Sequence, residues 1–404
     1  MTTQNIKPIE QNQRIVIIDI LRGWALIGVV LVNYFLFFYF GKEITIPTDD
    51  HLSHIVRLLT DIVFTNKSRI MLNVLFGFGF ATLINNISNK GINPILFFSK
   101  RMFWLFVIGL INTCFYNGDF LKDYAIVGLL MLVFYKASEN TALYFAIALM
   151  FIYPFTTVFF YSHFPSHSPA TDIRLYESNN IFDVLLYGLK EGTRELYETG
   201  RLLGINLFVL ACFLFGQYLQ KIAFFHKIIA GKISAKKMFW LSLGATIIIA
   251  VISDTLTHLF KIAFFKQYNI QFWLEFGLMI VFISAFCWIY KKGKLKTFFS
   301  ALQSVGKMTL TNYIVQNIIG ILLFSGFGLG LLHHLPFYAY ILIAISIYIL
   351  QVYFSKWWMT KYNYGPVEWI WRQLTYMKRL PIKRQLPGAD RSPAGNIGFG
   401  KSRV

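Results

Sequence analysis

The first apolar stretch of the chain reads Ile15-Val-Ile-Ile-Asp-Ile-Leu-Arg-Gly-Trp-Ala-Leu-Ile-Gly-Val-Val-Leu-Val-Asn33. It is close to the roughly 20 apolar residues that cross a bilayer as a helix, and it contains two charges one helical turn apart, Asp19 and Arg22. A charge at that depth costs a few kcal/mol unless it pairs or faces a wet cavity. The stretch therefore predicts a transmembrane helix whose charged residues serve helix packing or function.

The whole chain has the composition of this stretch. Of its 404 residues, 56% are hydrophobic, 18% aromatic and only 14% charged, and the mean hydropathy is +0.54. Repeated apolar runs predict an all-α, polytopic transmembrane helix bundle of about ten spans. The predicted spans are residues 15–40, 70–87, 102–117, 122–136, 141–162, 202–220, 238–260, 271–290, 309–331 and 337–356.

The net charge of +19 is distributed unevenly. Lysine and arginine concentrate in the N-terminal segment, in alternate loops and in the C-terminal tail, which is the positive-inside pattern of membrane proteins. The pattern predicts an even number of spans with both termini cytoplasmic. Because sidedness accounts for the charge, no nucleic-acid partner is expected.

A single membrane domain is predicted over residues 15–376. It follows a cytoplasmic segment, residues 1–14, and precedes a basic cytoplasmic tail, residues 377–404, whose end is rich in Gly, Pro and Ser and is predicted to be disordered. Two outer loops, residues 41–69 and 163–201, are long enough to have structure of their own. The first contains apolar residues at helical spacing, which predicts an amphipathic helix on the outer surface.

Residues of the first span are candidates for binding at its two ends. Asp19 and Arg22 share a helix face, and a guanidinium held by a carboxylate suits the phosphate groups of an anionic donor; a structural ion pair is the alternative. Asn33 lies about 16 Å further along the helix and can bind a carbonyl or link helices. Asn312 and Gln316 share a face in span nine, where they either line a cavity or hydrogen-bond to neighbouring helices.

Two carboxylate groupings are candidates for proton transfer. Asp254 and His258 are four residues apart in span seven, and a carboxylate beside a histidine raises its basicity, as a general base requires; interfacial polar residues are the alternative. Asp119 and Asp123 flank a turn on the outer side, where they bind a cation, act on an acceptor or cap the turn. The three cysteines and the pair His333-His334 lack metal-ligand spacing, so no metal is expected.

Five stretches of the chain together resemble the YeiB-like family of bacterial membrane proteins, also called DUF418. They are Asp19-Ile-Leu-Arg-Gly-Trp-Ala-Leu-Ile-Gly-Val-Val-Leu-Val-Asn33, Asn73-Val-Leu-Phe-Gly-Phe-Gly-Phe-Ala81, Gly118-Asp-Phe-Leu-Lys-Asp-Tyr-Ala-Ile-Val-Gly128, Gly306-Lys-Met-Thr-Leu-Thr-Asn-Tyr-Ile-Val-Gln316 and Tyr364-Gly-Pro-Val-Glu-Trp-Ile-Trp-Arg372.

The opening motif is also similar to that of the transmembrane acyltransferase superfamily, which includes acyltransferase-3 enzymes and the lysosomal enzyme that acetylates heparan glucosamine. The resemblance implies transfer of an acyl group from cytoplasmic acyl-CoA, such as acetyl-CoA, to an acceptor on the far side. The family pattern often has a histidine where this chain has Asn112, and acyltransferase-3 enzymes tend to have one where Asn33 stands. These departures argue against a simple transfer of the catalytic base.

The prediction is therefore a multi-pass acyltransferase of the bacterial cytoplasmic (inner) membrane that acts on a cell-envelope glycan, lipid or small molecule. The alternative is a transporter or flippase that moves a small amphiphile without chemistry, in which polar residues inside the membrane are equally expected. The expected roles are catalysis by His258, Asp254 and Asp119, acyl-CoA binding by Asp19, Arg22, Asn312 and Gln316, and acceptor binding by Asn33, Asn73 and Tyr124.

Overall fold

The computed structural model describes residues 15–39, 46–163, 176–198, 204–255 and 268–384. These residues are all-α, as predicted, and a single bridge between Tyr362 and Lys383 is the one β contact among them. The helices are α1 (Val16–Tyr39), α2 (His51–Val63), α3 (Lys67–Ser88), α4 (Pro94–Thr113), α5 (Leu121–Leu130), α6 (Glu139–His163), α7 (Ile181–Arg194), α8 (Asn206–Lys221), α9 (Phe224–Ile229), α10 (Ala235–Asp254), α11 (Gln271–Lys291), α12 (Lys296–Gly306), α13 (Thr309–Phe324), α14 (Phe337–Lys361) and α15 (Pro366–Tyr376).

Six helical stretches of the described chain are long and apolar enough to cross a membrane. They are Val16–Phe37, His51–Ser88, Pro94–Thr113, Ala235–Asp254, Gln271–Lys291 and Phe337–Lys361. Each of the ten predicted spans contains a helix, but α5, α8 and α13 are shorter than the thickness of a bilayer requires. The chain is thus a helical membrane protein, while the count of ten spans and the cytoplasmic termini stay predictions.

The ninth predicted span, residues 309–331, is too long. Helix α13 ends at Phe324, and Gly326 donates its backbone N–H to the carbonyl oxygen of Tyr176 at 2.7 Å. A Cβ atom on Gly326 would stand 2.1 Å from the carbonyl oxygen of Glu177, so only glycine fits there. The apolar run continues in the sequence, but this close backbone approach replaces the last two turns of the helix with a loop.

Helix α1 is central in the bundle, in contact with α3, α11, α12, α13 and α14. Its residues Leu21, Ala25 and Val30 are completely buried. Close approach of α12 depends on Gly306, where a Cβ atom would stand 1.8 Å from the carbonyl oxygen of Asp19. Small residues at such crossings are typical of membrane helices, which gain their packing energy from backbone proximity.

The amphipathic helix predicted in the first outer loop is α2. Asp50 caps it by accepting from the backbone N–H of Ser53 at 3.0 Å. Ser53 is buried against the bundle, whereas Leu52, Ile55 and Leu59 are each more than half exposed. An outward apolar stripe over a polar inner side is the arrangement of a helix that packs against protein and faces lipid.

The first residues of the predicted tail are ordered. The backbone N–H of Asn363 donates to the carbonyl oxygen of Ile382 at 2.8 Å, and that of Arg384 donates to the carbonyl oxygen of Lys361 at 3.0 Å. Residues 377–384 therefore fold back onto the end of α14 and are not a disordered segment. Residues 385–404 and the N-terminal segment, residues 1–14, lie outside the described residues.

Candidate functional site

A cavity of about 1020 Å³ follows α1 over most of its length. From α1 it is lined by Asp19 and Arg22 near the start of the helix and by Asn33 near its end. Asn33 lies fourteen positions after Asp19, a rise of about 21 Å along the axis, which is most of the hydrocarbon thickness of a bilayer. We name the two ends of the cavity. The arginine end is lined by Asp19, Arg22, Arg101, Lys307, Glu368 and Arg372, and the tyrosine end is lined by Asn33, Tyr116 and Tyr313.

At the arginine end, Asp19 and Arg22 lie on one face of α1, as their spacing predicts. Nη1 of Arg22 is 3.5 Å from Oδ1 of Asp19, and Nη2 of Arg22 donates to the carbonyl oxygen of Leu75 at 3.4 Å. Both distances are long for charged hydrogen bonds. Oδ2 of Asp19 is buried and accepts no hydrogen bond from the described residues. A buried carboxylate oxygen without a hydrogen bond costs free energy, which indicates that a polar ligand or a water molecule binds beside it.

Two further arginines, which the sequence did not single out as site residues, complete this end. The guanidinium carbon of Arg101 is 3.6 Å from the centre of the Trp371 ring, and that of Arg372 is 4.7 Å from the centre of the Tyr364 ring. Arg101 is close enough to Arg22 and Arg372 for both charges to act on it. The three guanidinium groups lie around the same end of the cavity despite their mutual repulsion, and Lys307 lines this end as well. The arginine end is therefore suited to bind an anion.

The arginine end is joined to α13 by Glu368. This buried carboxylate accepts from the backbone N–H of Leu310 at 2.7 Å, from that of Thr311 at 3.1 Å and from the Thr311 hydroxyl. These are donors of the first turn of α13, which a helix cannot satisfy internally, and a negative charge there is favoured by the helix dipole. Burial nevertheless raises the pKa of Glu368, against the hydrogen bonds from Thr311.

At the tyrosine end a chain of buried polar side chains begins at Asn33. Its Nδ2 donates to Oδ1 of Asn317 at 3.3 Å, and Nδ2 of Asn317 donates to Oδ1 of Asn112 at 3.3 Å. Nδ2 of Asn112 then donates to Oδ1 of Asp119 at 2.7 Å, and the Tyr313 hydroxyl donates to the same oxygen at 2.9 Å. The network thus connects α1, α13, α4 and the turn before α5.

Asp119 is the one carboxylate of this network. Burial raises its pKa to about 6, although Lys122 and the hydrogen bonds from Tyr313 and Asn112 oppose the shift. Nζ of Lys122, itself completely buried, donates to the carbonyl oxygen of Asp119 at 2.6 Å and pairs with Glu195 at 3.2 Å. Tyr313 lines the cavity and Asp119 lies behind it. A proton taken up by the Tyr313 oxygen can therefore be passed to Asp119.

Tyr313 is the functional candidate that sequence reasoning missed. It stands between Asn312 and Gln316 in one of the five family stretches, and that position was the available signal. Asn312 and Gln316 are buried but do not line the cavity. Nδ2 of Asn312 donates to Oγ of Ser355 at 3.0 Å, and Nε2 of Gln316 donates to Oε1 of Gln351 at 2.7 Å. These bonds join α13 to α14, which corresponds to the helix-linking alternative.

The other predicted site residues have separate places. Tyr124 lines the cavity, and its hydroxyl donates to Oδ1 of the completely buried Asn73. Asp254 is exposed at the end of α10 and does not line the cavity. His258 lies outside the described residues, so its pairing with Asp254 stays a prediction. No group of three metal-binding side chains occurs within the part of the chain that the structure describes.

These features define a class: a polytopic helical membrane protein with a long cavity beside its first span, which has charged groups at one end and a polar network at the other. Residues 219–378 match the family described as "Protein of unknown function (DUF418)". Together with the relatives below, this match supports the YeiB-like DUF418 family, which the motifs of the chain predict.

The relatives cover the chain to different extents. The chain is 26% identical to "Uncharacterized protein YxaH" of Bacillus subtilis (strain 168), over 94% of this chain and 99% of that protein. It is also 26% identical to an "Uncharacterized 39.9 kDa protein in amylase 3'region" of Bacillus acidopullulyticus, over 93% and 97%. With "Uncharacterized protein YeiB" of Escherichia coli (strain K12) it shares 40% identity over 19% of each chain. No solved structure matches the chain significantly.

Proposed function

We propose that this protein is an acyltransferase of the bacterial cytoplasmic membrane, which moves an acyl group from cytoplasmic acyl-CoA to a hydroxyl or amine of an acceptor. One observation carries the proposal: a single cavity joins a cluster of guanidinium groups to the Tyr313–Asp119 pair. Acyl transfer from a phosphate-bearing donor needs an anion site and a proton acceptor that open into the same space.

The arginine end fits the donor. Acyl-CoA carries several phosphate groups, and guanidinium groups bind phosphate through paired, charge-assisted hydrogen bonds. Arg22, Arg101 and Arg372 would hold these groups, and Lys307 would add a fourth positive charge. When bound, the donor supplies the activated acyl thioester. The positive-inside pattern supports the assignment of this end to the cytoplasmic side, where acyl-CoA is available.

The tyrosine end fits the acceptor. The Tyr313 hydroxyl can take the proton of an attacking hydroxyl or amine while its own proton moves to Asp119. As the acceptor atom bonds to the acyl carbon, the C–S bond of the thioester breaks and CoA leaves as its thiolate, whose charge is balanced by the proton on Asp119. Because the pKa of Asp119 is raised only to about 6, most of this carboxyl is ionised near neutral pH and can receive the proton. Asn33, which lines the cavity and donates to Asn317 in the same network, can orient an acceptor.

The experiment is incubation of the purified protein in lipid nanodiscs with labelled acetyl-CoA and a bacterial cell-envelope extract. The expected result is protein-dependent release of free CoA and transfer of the label to an extract component, both lost in Tyr313→Phe. Saturable binding of acetyl-CoA with an intact thioester would contradict the proposal. A transporter or flippase would move a labelled amphiphile across the bilayer and leave the thioester uncleaved.

A further inference from the structure

A second, smaller cavity of about 240 Å³ adjoins the first. The two share Asn66 and Arg69, so these residues form the partition between them. At ~30 Å³ per water molecule, the second cavity has room for about eight waters. It is therefore large enough for a small polar molecule or the headgroup of a lipid.

Two opposite charges line this second cavity without forming an ion pair within the described residues, namely Arg69 of α3 and Glu275 of α11. Asn66 connects them: Nη2 of Arg69 donates to Oδ1 of Asn66 at 3.0 Å, and Nδ2 of Asn66 donates to Oε1 of Glu275 at 2.7 Å. Nε of Arg69 is buried and donates to no described residue. Each charged group is thus hydrogen-bonded to Asn66 on one side and can form further hydrogen bonds on the other.

Aromatic rings position the guanidinium. Its central carbon is 5.4 Å from the ring centre of Phe120, in the first cavity, and 5.8 Å from that of Phe208, in the second. Lys67, Arg69 and Asp61 all act electrostatically on Glu275, and Nζ of Lys67 donates to the carbonyl oxygen of Asp61 at 2.6 Å. Lys67 therefore has a backbone partner of its own.

A ligand with one charge cannot satisfy this arrangement. A simple cation would be attracted by Glu275 and repelled by Arg69, and a simple anion would meet the reverse. A molecule with both charges can place an oxyanion on Arg69 and an ammonium on Glu275, with charge-assisted hydrogen bonds to each. Buried charges are normally retained only when such partners are supplied.

We propose that the second cavity binds a small zwitterion, in which an ammonium group and an oxyanion are separated by a short linker. Free amino acids and the phosphoethanolamine headgroup of a lipid both have this chemistry. The site does not depend on the acyl-transfer proposal, because it is defined by Arg69, Asn66 and Glu275 and not by the Tyr313–Asp119 pair.

The test is isothermal titration of the full chain in phosphatidylglycerol nanodiscs with four probes: phosphoethanolamine, ethanolamine, inorganic phosphate and glucose. Loss of one charge-assisted hydrogen bond weakens binding by about tenfold or more. Phosphoethanolamine is therefore expected to bind at least about tenfold more tightly than either half-molecule or glucose. Equal affinity for the whole molecule and one of its halves, or no binding of phosphoethanolamine, overturns the proposal.

Two variants assign the charges. Glu275→Gln is expected to reduce the affinity for phosphoethanolamine to that for phosphate, and Arg69→Gln to reduce it to that for ethanolamine. Glu177→Gln and Arg379→Gln, which remove the same charges from exposed sites outside both cavities, are the matched controls and leave binding unchanged. Unaltered binding in both cavity variants would contradict the assignment. If a variant fails to fold, the four-probe comparison on the unaltered protein still decides.

The source of the zwitterion is distinguished by changing the lipid. In nanodiscs that contain phosphatidylethanolamine, a headgroup site is already occupied, so the apparent affinity for free phosphoethanolamine falls. A site for a free molecule gives the same affinity in both lipids. Either result, together with the preference for the whole zwitterion, supports the proposed chemistry and names its source.

Discussion

The two ends of the long cavity are built from different chemistry. At the arginine end the arginines come from α1, α4 and α15; Arg101 and Arg372 stack on aromatic rings, and the side chain of Arg22 is 30% exposed. At the tyrosine end Asp119 is completely buried, and its carboxylate oxygens accept hydrogen bonds of 2.7 Å from Asn112, 2.9 Å from Tyr313 and 3.0 Å from the backbone N–H of Leu121. An adaptable cationic surface suits a flexible anionic ligand, whereas a fixed network suits the transfer of one proton between defined atoms.

The largest effect that separates the ends is expected from Asp119→Asn. It keeps the shape of the network and removes its proton acceptor, so the rate of CoA release is expected to fall by about 10²- to 10⁴-fold. The KM for acetyl-CoA is expected to change little, because the donor binds at the other end. Asp183→Asn, on the exposed face of α7, is the control and keeps the full rate.

The pH dependence of the unaltered protein should identify the same carboxyl. Burial raises the pKa of Asp119 to about 6. Its ionised form accepts the proton, so the rate is expected to be constant at higher pH and to fall as the pH decreases through about 6. In Asp119→Asn this acidic decline should be absent from the residual activity. A decline centred elsewhere that survives the substitution would assign the proton transfer to another group.

Tyr313→Phe is expected to have the next largest effect. The substitution retains the ring and removes the hydroxyl that connects the cavity to Asp119, so we expect a loss of about 10²-fold in the rate of CoA release. Tyr144→Phe, which alters an exposed tyrosine of α6, is the matched control. An unchanged rate would mean that protons reach Asp119 by another route, or that Asp119 has a structural role.

At the arginine end the expected effect is smaller and of a different kind. Arg372→Gln removes one charged donor, which is worth about 1.5 to 3 kcal/mol, so the KM for acetyl-CoA is expected to rise about 10- to 150-fold with the kcat nearly unchanged. Arg57→Gln, on the exposed side of α2, should alter neither constant. A fall in kcat at constant KM would contradict the assignment of donor binding to the arginine end and proton transfer to the tyrosine end.

The smallest effect is expected from Asn317→Ala. Interhelical hydrogen bonds in membrane proteins contribute about 0.6 kcal/mol each, and Asn317 makes two of them, to Asn33 and Asn112. We expect a loss of about 1 kcal/mol in the free energy of unfolding, measured by thermal denaturation in detergent, and a decrease of less than tenfold in rate. A much larger loss of rate with intact stability would place Asn317 in direct contact with substrate.

Local patterns in the sequence predicted those features of the structure that depend on the geometry of a single helix. The helices and the shared face of Asp19 and Arg22 follow from a period of 3.6 residues. The contacts of Tyr313 with Asp119 and of Trp371 with Arg101 join residues 194 and 270 positions apart, and tertiary packing decides them. The spacing of Asn312 and Gln316 correctly placed them on one helix face, but it contained no information about which neighbouring helix that face would meet.

The carboxylate of Glu368 has a consequence for the order in which the molecule is assembled. It follows the amides that it caps at the start of α13 by 57 and 58 residues. While the chain is being synthesised and inserted, α13 therefore exists with uncapped amides until the segment that begins at Pro366 has left the ribosome. Both ends of the cavity use residues of α13 or α15, so the site can be completed only after nearly all of the chain has been made. A protein truncated after α14 would be expected to insert its membrane helices and yet remain without a finished site.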